Sequence, residues 1–396
     1  MTATATATAK EPARRNVSPD PWWLLVDPFL ILSALGAAAM GSVLVYSATR
    51  GVIGDFTEPN TEFLERQVLF IVLGVVAGVV AAFVPPRLMR KLYPLAFAAM
   101  VAALWLVLQV GVEVNGTKGW FSAGAFRLQP SEPGKLVVII GLALLLSPRQ
   151  AEVGLRRVLG ALALAAAPIA LLLLQPDLGT TLVYLVIVLV MVIVSGIRAR
   201  WIALLAIVAV AGTAGVYRSD ALAEYQEARL RVYLFESDVS DESASYAFNV
   251  EQAQIAIGNG GLRGQGLFQG TQTRSDLVPQ QQTDFIFTVA GEELGLRGSS
   301  VLLGLLALLL FRVWRTAQLA LTPFERLMCT GIFAMLLFQT FQSVGMTMGM
   351  MPVTGIPLPL VSYGGSSMIT TMAALGLIAG VYRRRLDIEG MLGAQQ

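Results

Sequence analysis

The chain has 396 residues, of which 55% are apolar and only 14% charged. A water-soluble domain carries roughly 25% charged residues, so this composition excludes a chain that coats itself with charge and points to one that sits in lipid. The net charge of +2 gives no basic excess for binding nucleic acid, and the complete absence of histidine removes the commonest general base and the commonest zinc ligand together.

The chain opens on a polar stretch, an Ala-Thr repeat followed by Lys10, Arg14 and Arg15. Residues 1–26 read as a disordered cytoplasmic tail. No cleaved signal peptide is expected, because the first apolar run is long enough to span and no small-residue cleavage site follows it. A polytopic membrane domain then covers 27–385, and 386–396 form a cytoplasmic C-terminal tail. Apolar runs long enough to cross hydrocarbon, about 20 residues each, predict an all-α integral membrane protein of about ten transmembrane helices. The expected spans are Phe29–Ala48, Gln67–Val84, Tyr93–Val112, Pro130–Leu146, Val158–Leu174, Leu178–Gly196, Trp201–Tyr217, Phe285–Phe311, Leu327–Met348 and Ser367–Tyr382. A large extracytoplasmic loop, 218–284, separates the seventh and eighth. The eighth contains Glu292, Glu293 and Arg297, which suggests a broken helix. The single cysteine, Cys329, leaves no internal disulfide.

Charge sets the orientation. With the N-terminus inside, most of the 28 basic residues fall in cytoplasmic segments, in groups such as Arg87-Arg90-Lys91, Arg156-Arg157 and Arg383-Arg384-Arg385. Arg50, Arg66, Lys118, Arg127 and Lys135 are assigned to the short outer segments. This asymmetry places both termini in the cytoplasm. The polar chemistry then lies in three outer segments: Glu113–Lys135, Arg218–Asp284 and Gly349–Ser366.

Within these segments several residues stand out. Trp120 reads as an interfacial anchor or as a stacking platform for a sugar. Pro130 is placed to open a helix, and the three-residue spacing puts Glu132 and Lys135 on one face, either as a local ion pair or as functional groups. Asp284 stands where the long loop re-enters the membrane. It is a general base or a ligand for a divalent cation on one reading and a helix cap on the other. The six glycines between Gly258 and Gly270 lack the Gly-Lys-Ser/Thr ending of a phosphate loop and suggest close backbone approach to a neighbour. Leu222, Tyr225, Ala228, Val232 and Phe235 recur at helical spacing, as an amphipathic helix would. Pro176-Asp177-Leu178-Gly179 reads as a turn, whereas Pro352–Ser367 is too long and apolar for one and reads as a re-entrant segment lining a cavity.

At these residues the sequence resembles the shape, elongation, division and sporulation family, whose members include RodA and FtsW. The matching pieces are Leu128-Gln129-Pro130-Ser131-Glu132 with Lys135, Gln175–Thr180, Thr283–Phe287 with Gly291-Glu292-Glu293, and Pro352–Ser367. Ala256-Ile257-Gly258, Gly260-Gly261 and Gly270-Thr271-Gln272 look closer to the RodA branch. The resemblance implies a peptidoglycan glycosyltransferase that polymerises lipid II at the outer face of the bacterial cytoplasmic membrane. It also implies a class B penicillin-binding protein as partner, within the elongation or division machinery. Asp284 would be catalytic, with Trp120, Glu132, Lys135 and Gln272 at the substrate. Two positions depart from the family pattern: Gln282 replaces a usual histidine, and Gly119, preceded by Lys118, replaces a frequent arginine. Positive charge for the departing diphosphate would come from Lys135, an arginine or a divalent cation, Mg2+ or Mn2+. The rival readings are a lipid II flippase, which needs a polar path through both leaflets, and a non-catalytic scaffold for the partner synthase.

Overall fold

The computed structural model describes residues 27–51, 60–114, 117–124, 126–147, 154–197, 201, 241–275 and 278–393. Apart from Trp201, the expected seventh span lies outside them, as do the amphipathic stretch Leu222–Phe235 and the N-terminal tail.

The described chain is a helical bundle. The long helices are α1 (Pro28–Thr49), α2 (Glu62–Phe83), α3 (Pro86–Val110), α4 (Ser131–Leu146), α5 (Leu155–Leu174) and α6 (Leu178–Val194). Helix α7 (Asp241–Gly260) and one-turn α8 (Thr271–Arg274) follow. After them come α9 (Ile286–Val289), a π turn (Ala290–Leu294), α10 (Gly295–Leu319), α11 (Pro323–Thr347) and α12 (Gly365–Gly393). Among the described residues, seven helical stretches are long and apolar enough to cross a bilayer. The helices α4 and α6 are shorter, at 16 and 17 residues. At about 1.5 Å per residue they fall short of the roughly 30 Å hydrocarbon core. Both begin at the face that the charge pattern assigns to the outside, and residues of their first turns line a hollow there.

Local signals set the helix ends. Asp27 caps α1 by accepting from the amides of Phe29 and Leu30, Pro323 opens α11 behind a Thr322 cap, and Asp177 caps α6. The eighth span is broken, as its charges suggested. Its first part, Ile286–Glu293, is wholly buried, and Gly295 turns the chain at φ 62° before α10 continues. Helix α12 runs on to Gly393, through most of the stretch read as a tail. A small sheet between α3 and α4 is new relative to the sequence reading. Strands β1 (Val112–Val114), β2 (Thr117–Ala123) and β3 (Phe126–Leu128) form an antiparallel sheet in that order.

Small residues let the bundle close. A Cβ on Gly376 would lie 2.0 Å from the Gly78 carbonyl oxygen, and one on Gly380 would lie 2.6 Å from that of Ala82. The backbones of α2 and α12 therefore touch, the membrane-protein form of close helix contact. Two ion pairs tie helices together: Arg312 Nε with Asp27 Oδ2 at 2.6 Å and Arg384 Nε with Glu325 Oε1 at 2.8 Å.

Candidate active site

The hollow above α4 and α6 is a cavity of about 510 Å³. Its lining brings together Asp284, Trp120, Glu132 and Lys135, which lie on three separate elements. Trp120 stands on β2 opposite Val112. Glu132 and Lys135 occupy the first turn of α4, and their side chains pair at 2.7 Å while 3% and 1% exposed as residues. Two buried charges persist only when matched in this way.

Asp284 is partly buried and is held by its backbone. The amides of Thr283, Asp284 and Phe285 all converge on the Gln280 carbonyl. Ser362 Oγ donates to the Thr283 carbonyl at 2.5 Å, and the Tyr363 amide donates to that of Gln282 at 2.8 Å. These last two donors belong to the apolar stretch before α12. That stretch has no regular structure, is buried at Val353, Ile356, Leu358, Leu360 and Val361, and lines the cavity, in agreement with the re-entrant reading. Gly355, at φ 70°, comes so close that a Cβ there would sit 3.3 Å from Asp284 Oδ2.

Gln272 is not at the cavity. Its amide donates to Glu292 Oε1 at 2.7 Å, in the cluster around the π turn. Lys118 is also elsewhere, donating from Nζ to the Gln109 carbonyl at 3.1 Å. The cavity cations beside Lys135 are instead Arg66, ion-paired to Glu62, and Arg127 on β3. Sequence reading counted both arginines only as outer-side basic residues. That status was itself the signal, because cations retained against the inside bias need a reason.

Asp177 also lines the cavity, although its motif read as a turn. It accepts from the Thr180 amide at 2.9 Å and from Gln129 Nε2 at 3.3 Å. Burial holds its carboxyl above the ordinary carboxylate range, against the opposing pull of the Thr180 amide and Lys135.

The arrangement suits an anion. The N-terminal ends of α4, α6 and α12 all reach the lining, through Glu132, through Leu178-Gly179-Thr180 and through Gly365-Ser366-Ser367. Each brings the positive end of a helix dipole, and Arg66, Arg127 and Lys135 add full charges. Among the described residues no three Asp, Glu, His or Cys side chains gather to hold a metal ion. A Mg2+ shared between a single carboxylate and substrate phosphates needs no such cluster. Such an ion beside Asp284 or Asp177 would add further neutralising charge.

Comparison with known proteins places this architecture. The family model described as cell cycle protein, covering FtsW, RodA and SpoVE, matches residues 28–386. The peptidoglycan glycosyltransferase MrdB of Escherichia coli K12 is 34% identical over 360 residues, 91% of this chain and 94% of that protein. A chain from a solved structure, described as the structural coordination of polymerization and crosslinking by a peptidoglycan synthase complex, is 34% identical. It superposes with a TM-score of 0.74, covering 92% of this chain and 99% of its own. The crystal structure of Thermus thermophilus RodA is 33% identical with a TM-score of 0.66, over 92% and 99% of the two chains. This chain is a multi-pass membrane protein that belongs to the FtsW/RodA/SpoVE family.

Proposed function

We infer that the protein is a peptidoglycan glycosyltransferase that joins lipid II units into glycan strands. The observation that carries this reading is the cavity whose lining brings the partly buried carboxylate of Asp284 together with three cations and three helix N-termini. In the reaction, the acceptor sugar hydroxyl attacks the donor anomeric carbon. A new C–O glycosidic bond forms as the bond from that carbon to the diphosphate breaks. Asp284 takes the hydroxyl proton. The polyprenyl diphosphate leaves as an anion and needs no general acid, unlike the leaving group of glycoside hydrolysis, which canonically calls on a second carboxyl group. Arg66, Arg127, Lys135 and the helix N-termini stabilise the charge that develops on it. Trp120 would stack on a sugar face, and Glu132 would orient Lys135. The polyprenyl chain would leave along α2, whose exposed Val68, Leu69 and Val72 offer a lipid-like surface. A class B penicillin-binding protein of the elongation or division machinery would receive the strand.

The direct test is the full chain in lipid nanodiscs, supplied with lipid II, with and without a class B penicillin-binding protein. A ladder of glycan products is expected in the presence of the partner. No polymer under either condition would leave only the scaffold and flippase readings.

The mechanism also requires the cavity to face outward, with both termini in the cytoplasm. In a Cys329→Ala background, Ser275→Cys should react in intact cells with a membrane-impermeant thiol reagent. Leu321→Cys, in the exposed turn between α10 and α11, should react only after the membrane is opened. The reverse pattern would turn the cavity toward the cytoplasm, where a cell-wall polymerase has no use for it.

A further inference from the structure

Two adjacent buried carboxylates lie outside the cavity and outside the reaction just described. Glu292 and Glu293 sit in the π turn between α9 and α10, 0% and 1% exposed. A carboxylate taken out of water persists where donors replace its lost hydration. Glu292 has four donors. They are the amides of Gln272 and Thr273, at 2.7 and 2.9 Å, and the hydroxyls of Thr273 and Thr271, at 2.7 and 3.2 Å. Both oxygens of Glu292 are thus committed to one short element, α8. Glu293 accepts from Ser47 Oγ of α1 at 2.6 Å and also lies against the main chain of Phe268 and Gly270.

The backbone repeats the connection. The amides of Gln265 and Gly266 donate to the carbonyls of Glu292 and Glu293 at 2.9 and 3.0 Å, and those of Leu296 and Arg297 donate to Gly261 and Leu262 at 2.8 and 3.3 Å. The glycine-rich stretch is what permits this approach. A Cβ on Gly264 would lie 2.1 Å from the Glu293 carbonyl oxygen, and one on Gly270 would lie 2.7 Å from Glu292 Oε2. The stretch from Gly260 to Arg274 and the turn from Ala290 to Arg297 are therefore one unit. Asp284 lies on the chain between them, so its loop has both ends fastened at Glu292.

We propose that Glu292 is a positioning residue for Asp284: its carboxylate clasps the two ends of the loop that carries the base. This rests on the catalytic reading of Asp284 given above. Removing the clasp loosens α8 itself, while the main-chain bonds of Gln265, Gly266, Leu296 and Arg297 remain and Ser362 and Tyr363 still hold the carbonyls of Thr283 and Gln282. Asp284 is then displaced rather than released, and a displacement of about 1 Å costs on the order of 100-fold in rate. Substrate binding depends on cavity groups that Glu292 does not touch, so the loss falls on kcat.

The test uses the full chain in nanodiscs with lipid II and the partner synthase. Glu292→Ala is expected to lower kcat by roughly 30-fold and to leave KM within about threefold. Glu292→Gln, which keeps one acceptor oxygen, should fall between it and the unmodified protein. Thr273→Val removes a single hydroxyl donor and should cost about threefold in kcat. Hydrogen exchange gives a readout independent of turnover. Peptides covering residues 278–289 should exchange faster in Glu292→Ala, whereas peptides from α2 and α12 should not change. Should Glu292→Ala fail to fold, Thr273→Val carries the same two measurements. Full kcat overturns the proposal, with or without faster exchange, and so does a loss confined to KM. If Asp284→Asn turned over normally, the catalytic reading would fall instead, and the exchange comparison would still decide whether the clasp exists.

Discussion

Asp284→Ala and Asp284→Asn are both expected to stop lipid II polymerisation, by at least the roughly 100- to 10,000-fold that a general base contributes, while leaving the protein folded. The fold should survive because the turn at Asp284 is closed by main-chain groups. The amides of residues 283–285 bond to the Gln280 carbonyl, and the re-entrant segment holds the carbonyls of Gln282 and Thr283. Neither substitution removes any of these bonds. Asparagine is the sharper test, since it keeps the size of the side chain beside Gly355 and removes only its ability to take a proton. Polymer on a gel measures the loss, and the thermal midpoint in detergent serves as the control. Near-normal polymer from Asp284→Asn would rule out the base role and leave Asp284 with a purely spatial one.

Much of this site could be read from the residue string because membrane burial makes polar groups conspicuous. A carboxylate where a loop re-enters lipid, or a Glu and a Lys three apart ahead of an apolar run, stands out against its surroundings. Asp284, Glu132 and Lys135 were found that way, and the cavity joins them to Trp120. Neighbours that resemble ordinary residues were not legible. Asp177 carries a turn signature, with Pro176 before it and Gly179 after it, and only the third dimension brings it beside Gln129. Arg66 looks like the partner of Glu62 on its own helix, which it also is.

Gln272 shows the opposite failure. Its motif marks it, but the glycines that precede it bring its backbone to Glu292 rather than its side chain to the cavity. At the level of elements, hydropathy placed the two short spans, α4 and α6, within two residues of their observed ends, but it could not show that their first turns line one hollow. The sheet escaped because β1 and β3, at three residues each, are too short to display an alternating pattern, and the seven residues of β2, Thr117–Ala123, do not alternate.

Lys135→Met should lower turnover by more than about 100-fold, whereas Lys118→Met should stay within about threefold. The two lysines differ in surroundings. Lys118 is partly exposed and reaches a carbonyl on α3, so water screens its charge. Lys135 is 1% exposed and lines the cavity, where a lower effective dielectric strengthens its pull on a diphosphate. One of its three donors is committed to Glu132, so its removal has two consequences that must be separated. The first concerns stability. A buried Glu132 without its partner costs about 3–5 kcal/mol. The second is the loss of transition-state charge. The double variant Glu132→Gln with Lys135→Met separates them, because it removes both charges and should regain most of the lost stability. Turnover should nevertheless remain low in the double variant, since no cation has been returned to that side of the cavity. Recovery of turnover together with stability would mean that Lys135 serves only to neutralise Glu132. The diphosphate would then be left to Arg66, Arg127 and the helix N-termini.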